Sequence, residues 1–228
     1  VLLLLATQED PQRYRSSVAL FRLSGALGLR VVPRTEARSF TLRELLDGAE
    51  DDRARRWLTA EVAVQPGGVV DGAVVELPEA TQNKATRWSN EEQQWTRLVE
   101  SAGELTPQEQ VLAEDWVSVL VLDYLSGAIL RRSVEQDEAG RLWLVDNRET
   151  FLERPEAHAV AQLLGRLKRC RRWPAGLREA LRRLDAGELD RRMRAGEYER
   201  WLVHQRALRE VGVRRRALAT WLEASVAQ

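Results

Sequence analysis

Four polar residues near the middle of the chain could do chemistry together: Asp123, Arg131, Asp146 and Asn147. Asp123 falls at or near the end of the apolar run VSVLVLDYLSG, Val117 to Gly127, and Arg131 lies in the basic loop after it. Asp146-Asn147 directly follows a second apolar run, Leu142 to Val145. The first run reads as the end of a buried helix and the second as a short buried strand. A helix, a basic loop, a strand and a terminal carboxylate make a frame that can hold a metal ion on Asp146 and a phosphate on Arg131, the equipment of phosphoryl transfer. Each residue also has a plain structural reading. Asp-Asn after a strand forms turns, Arg131 can pair with an acid, and a buried Asp123 must be hydrogen-bonded.

Composition removes several other chemistries. Basic and acidic residues balance at 35 each over 228 residues, so no bulk charge favours nucleic acid or a membrane surface. Lys84 and Lys168 are the two lysines, and arginine supplies the rest of the basic residues, so arginine clusters are not read as phosphate sites on count alone. The single Cys170 allows neither an internal disulfide nor a cysteine zinc site. His158 and His204 give little support to a multi-histidine metal site. Cys170 stands in Lys168-Arg169-Cys170-Arg171-Arg172, where positive charge favours thiolate, but a half-buried helical thiol is the favoured reading. The basic run Arg166 to Arg172 reads as a solvated face, and the eight tryptophans as packing.

The elements that must position these residues follow from local pattern. Val1 to Ala6 reads as a buried first strand rather than the tail of a signal peptide, and it is too short to span a membrane. A helix follows Pro11, with Gly28 at its C-terminal end. Leu29 to Val32 is extended. Thr41 with Glu44 forms a capping box, as does Thr106-Pro107-Gln108-Glu109. Asp51 to Glu61 is a helix expected to turn Trp57 and Leu58 inward. Val69 to Leu77 is one bulged strand or a pair. Asn90 can cap a helix, and the helix opened by Thr106 becomes apolar on nearly all sides at Val117 to Leu125, which predicts a buried central helix. Pro155 is expected to start a helix running to about Cys170 and Pro174 to start the next, and Gly187, Gly196 and Gly212 are expected to divide the rest into short helices. Periodicity alone gives a helix-rich α+β class.

The motifs carry a resemblance. Asp123-Tyr124-Leu125-Ser126-Gly127-Ala128-Ile129-Leu130-Arg131 followed by Asp146-Asn147 resembles the Asp-aromatic-Leu-x-Gly-Asn-x-Asp-Arg and strand-Asp-Asn pattern of the atypical secretory-pathway kinases, the Golgi casein kinase and four-jointed type with bacterial relatives. Ser17-Val18-Ala19-Leu20-Phe21-Arg22-Leu23, with Leu29 to Pro33, resembles that family's Glu-led helix and its Val-Pro exit. The resemblance covers residues 1 to about 155. It implies an α+β, atypical protein-kinase-like two-lobe fold, with a remnant N-terminal lobe over 1–78 and a helical C-terminal lobe over 79–228. It further implies ATP with Mg or Mn as cofactor, Asp146 as metal ligand, Arg131, Glu76 and Asn147 as nucleotide contacts, and Asp123 as the one remaining candidate for a catalytic position.

Departures from the pattern fall on the catalytic device itself. The strand that should carry the phosphate-gripping lysine has Ala6 or a neighbour in that place, and the orienting Glu is Ser17. The loop Asn and Asp are Ala128 and Leu130, which neither bind a cation nor accept a proton. Loss of a general base alone costs about 10²–10⁴ in rate. The expected function is therefore a pseudokinase, a binding or regulatory module with a protein partner, no nucleic acid and no membrane span, and weak or no nucleotide binding. The alternatives are an active phosphotransferase with non-standard residues and a helical interaction module unrelated to kinases. A bacterial cytoplasmic location is favoured, with secretion the alternative if Val1 follows a removed signal peptide.

Overall fold

The computed structural model describes residues 1–78, 82–85, 90–129, 131, 134–195 and 200–225. The chain opens with β1 (Leu2–Leu5), α1 (Arg13–Ala26), β2 (Thr35–Thr41), α2 (Leu42–Asp47), α3 (Asp52–Glu61), β3 (Val64–Gln65) and β4 (Val69–Val75). It continues with β5 (Gln82–Ala85), α4 (Asn90–Glu100), α5 (Pro107–Ser126), β6 (Val134–Gln136), β7 (Leu142–Trp143) and α6 (Ala157–Arg169). It closes with α7 (Leu177–Arg183), α8 (Ala186–Arg192), β8 (Arg194–Ala195), β9 (Arg200–Trp201) and α9 (Gln205–Ala224).

The first sheet is antiparallel in the order β1-β4-β2, with β3 returning onto β4. Its central strand is one continuous strand, in which Gly72 faces Leu5 on one side and Arg38 on the other. The 35–41 strand, which the sequence reading did not single out, is its longest partner. A small core of Leu5, Phe40, Leu45, Leu58, Val62 and Val70 lies on one side of this sheet. Trp57 departs from expectation: it is 41% exposed while its neighbour Leu58 is buried. Adjacent helical positions cannot share a face, and Leu58 takes the inward one.

The main core is built around α5. Every residue from Asp115 to Ser126 is buried, as its all-round apolarity predicts. The helix begins at the expected capping box, where the Thr106 hydroxyl accepts from Glu109 N at 3.3 Å and the Glu109 carboxylate from Thr106 N at 2.9 Å. It ends at Gly127, whose φ of 73° is left-handed. A Cβ at Gly127 would also stand 3.2 Å from Pro155. Leu20 and Leu23 of α1, Leu181 of α7 and Leu218 of α9 join the same core.

Several boundaries shift. Ladder pairing of β7 stops at Trp143, two residues short of the expected strand end. Leu144 and Val145 remain buried, and Leu144 N donates instead to Val31 O at 2.7 Å. The helix after Pro155 starts at Ala157, and the one after Pro174 starts at Leu177. Gly212 does not break the chain: it lies inside the continuous α9. Gly187 likewise lies within α8. A helix interior tolerates glycine when the flanking residues, here Leu208, Val211 and Leu218, are fixed by packing. The expected break at Gly196 lies outside the described residues.

Candidate functional site

The C-terminal end of α5 and the segment after β7 face each other through Arg131. Its Nε donates to Asp123 Oδ1 at 2.7 Å and its Nη2 to the same oxygen at 2.5 Å. Its Nη1 donates to Asn147 Oδ1 at 3.2 Å and to the Asp146 carbonyl at 3.3 Å. Asn147 in turn donates through Nδ2 to Leu144 O at 2.8 Å. One guanidinium thus joins the helix end to the chain that follows β7, and all three side chains are largely buried. Burial pushes the Asp123 carboxyl above the ordinary range, with the Arg131 guanidinium pulling against it. The turn is completed by Thr150, whose hydroxyl donates to Asn147 O at 2.8 Å, and by Phe151, whose N–H reaches Ser126 O at 2.8 Å. Phe151 has a φ of 57°, a conformation a bulky side chain adopts only when the surroundings hold it there.

Asp146 is engaged by its own neighbour. Arg148 Nε donates to Oδ1 at 2.9 Å and Nη2 to Oδ2 at 2.7 Å, a two-pronged grip on both oxygens. The Arg148 hydrogen bonds hold the Asp146 carboxyl below the ordinary range against the opposing effect of burial, and Arg13 at the start of α1 adds to the lowering. The space enclosed by Ala128, Arg131, Asp146, Asn147 and Arg148 is about 20 Å³. That admits about one water molecule. Small-molecule sites occupy roughly 300–1,000 Å³.

The other expected residues are not gathered here. Glu76 follows β4, where its carboxylate is 3.4 Å from Arg34 Nη1, over half exposed and outside the lining of the space around Arg131. Ala6 and Ser17, at the positions of the resembled family's lysine and glutamate, are buried, and the Ser17 hydroxyl has no hydrogen-bond partner among the described residues. Leu130 lies outside the described residues. Cys170 is a thiol rather than a thiolate: burial pushes its pKa up to about 12 despite Arg166 and Arg169. The basic run around it is not a solvated face throughout. Arg166 donates to Glu92 at 2.7 Å, Arg169 to Glu100 at 2.7 Å and Arg172 to the Gly103 carbonyl, stitching α6 and the chain after it to α4 and the turn beyond it.

A magnesium or manganese nucleotide does not fit the donor set as arranged. Both Asp146 oxygens and both polar atoms of the Asn147 amide are engaged by protein partners. Among the described residues no cluster of three or more His, Cys, Asp or Glu is placed to share a cation. No described helix is long and apolar enough to cross a membrane. Arg148 is the residue that sequence reading missed. Its signal was the Asp-x-Arg spacing at 146–148, which becomes a contact only once the turn closes.

No family model matches the chain, and no curated protein matches it. Solved structures do. Golgi casein kinase with Mn and ADP bound superposes with a TM-score of 0.64 at 16% identity, over 93% of this chain and 61% of that one. A second structure of Golgi casein kinase gives 0.63 at 15%, over 92% and 59%. Hydra Fam20 with sugar gives 0.63 at 17%, over 92% and 70%. The chain therefore has the atypical secretory-pathway kinase fold, helix-rich and mixed with sheet, and spans about 61% of the length of the first of these relatives.

Proposed function

We propose that this chain is a pseudokinase: a kinase-fold module that acts by binding a protein partner rather than by transferring phosphate, with weak or no affinity for nucleotide. The observation that carries the reading is the pairing of the surviving polar groups with the protein's own guanidinium groups. Arg131 engages Asp123 and Asn147, and Arg148 takes Asp146. Sequence supports it from the other side, since Ala6, Ser17, Ala128 and Leu130 stand where lysine, glutamate, asparagine and aspartate would serve. A single carboxylate holds Mg²⁺ poorly unless substrate phosphates complete the shell, and here its two oxygens already have a cation. Manganese and ADP are bound by the Golgi casein kinase structure and belong to that protein.

The test is a melting series with ATP, ADP and GTP, with and without Mg²⁺ and Mn²⁺, run beside a transfer assay on acidic, casein-like substrate. A ligand at a hundred times its dissociation constant stabilises a fold by about 2.7 kcal/mol, a shift on the order of several degrees for a chain of this size. The expected result is a shift of no more than about a degree with millimolar Mg-ATP, and transfer no greater than that of Asp146→Ala. Transfer that Asp146→Ala abolishes would overturn the proposal and identify an active phosphotransferase. A shift of several degrees without transfer would recast the module as a nucleotide sensor.

A further inference from the structure

A second, much larger cleft opens between α4, α5 and α6, with a volume of about 590 Å³, inside the roughly 300–1,000 Å³ range of small-molecule sites. No residue of α1 or of β1 to β4 lines it. Its exposed apolar surface comes from the half-buried Ile129, Ala159 and Leu163, over a floor of the buried Trp116, Leu120 and Val134. Trp116 is held from two sides, by the Trp95 ring at 5.2 Å and by the Arg166 guanidinium at 5.5 Å. Ala128, at the position where the resembled kinases carry Asn, contributes a methyl group to the wall where an amide would stand.

The charges of the cleft cancel in pairs, Arg131 with Asp123, Arg166 with Glu92 and Arg169 with Glu100. Arg97, exposed on α4, is left without an ion-pair partner among the described residues, so the cleft keeps one uncompensated positive charge. A second feature is Gly165, inside α6, where glycine is disfavoured against alanine. Its φ is not left-handed, and a Cβ built on it meets nothing within 4 Å. Neither backbone nor packing requires glycine there, and it forms part of the cleft wall.

We propose that this cleft binds a small amphipathic monoanion, with an apolar body against Ile129, Ala159 and Leu163 and a carboxylate or sulfonate on Arg97. The proposal rests on the reading of the chain as a binding module, since it names what such a module holds. Its test uses no nucleotide and reads no phosphate transfer, so either can fail without the other. The probe is 1-anilinonaphthalene-8-sulfonate, titrated by fluorescence with tryptophan excitation to register energy transfer.

The wild-type chain binds the probe at one saturable site. Gly165→Leu, a better helix former whose side chain enters the cleft, melts at or above the wild-type temperature and binds at least tenfold more weakly. Arg97→Ala loses about tenfold, the value of one hydrogen bond to a charged group. It then binds the sulfonate no better than uncharged N-phenyl-1-naphthylamine. Arg53→Ala on α3 changes nothing. Should Gly165→Leu fail to fold, Gln162→Trp at the exposed mouth of the cleft blocks the site in its place. Non-saturating binding, or undiminished affinity in a folded blocked variant, overturns the site, and an unchanged affinity in Arg97→Ala overturns the choice of an anion.

Discussion

Arg131 fastens the end of α5 to the turn after β7. An arginine presents five N–H donors in a fixed fork, and here they span a helix end and a turn that β6 and β7 separate along the chain. With both side chains about nine-tenths buried, the pair's attraction is set against a large loss of hydration. Removing one partner strands the other's charge. Asp123→Leu is expected to lower stability by about 3–5 kcal/mol, and Arg131→Met by a similar amount. The double variant Asp123→Leu with Arg131→Met is expected to lose much less than their sum, because no buried charge remains unpaired. Urea unfolding of the four proteins measures this; strictly additive losses would show that the two side chains act separately.

At the scale of elements, the first sheet depends on how closely β1 approaches β4. Gly72 is the point of contact: a Cβ there would stand 2.7 Å from the Leu4 carbonyl oxygen and 2.9 Å from Leu5 Cδ2. The first of these is backbone, so the clash cannot be relieved by turning a side chain. Gly72→Ala is expected to cost about 1–3 kcal/mol, the range for overfilling a packed site. The loss should appear as faster amide exchange along β1 and β2, with α5 protected as before. Protection lost equally in α5 would mean that this sheet and the central helix open together.

At the scale of the molecule, the division into two lobes at residue 78 is a proposal, and the contacts that cross it predict one cooperative unit. Leu20 and Leu23 of α1 share a core with Val117 and Leu122 of α5. Arg22 Nη1 donates to the carbonyls of Arg192 and Arg194 at 2.9 and 2.5 Å, tying α1 to the end of α8. Leu144 N closes onto Val31 O. Calorimetry is expected to show a single transition with equal calorimetric and van't Hoff enthalpies. Two resolved transitions would show that the β1–β4 sheet, with its own core around Phe40 and Leu58, unfolds by itself.

What could be read from the sequence was what neighbouring residues decide among themselves. The boxes Thr41–Glu44 and Thr106–Glu109 close within four residues, and both formed. Val117 to Leu125 is apolar on every side, which leaves a helix nowhere to lie but in the core. The order of motifs around Asp123 and Asp146 carried the kinase-like fold. Tertiary structure alone decided where β2 pairs, that Leu58 and not Trp57 turns inward, and that Arg131 joins Asp123 to Asn147. It alone assembled a cleft from α4, α5 and α6. Caps and periodicity are energies of short chain segments and are written in any window that contains them. A cleft, or a guanidinium shared between a helix end and a distant turn, depends on which remote segments the collapsed chain brings into contact, and no window of sequence contains both sides.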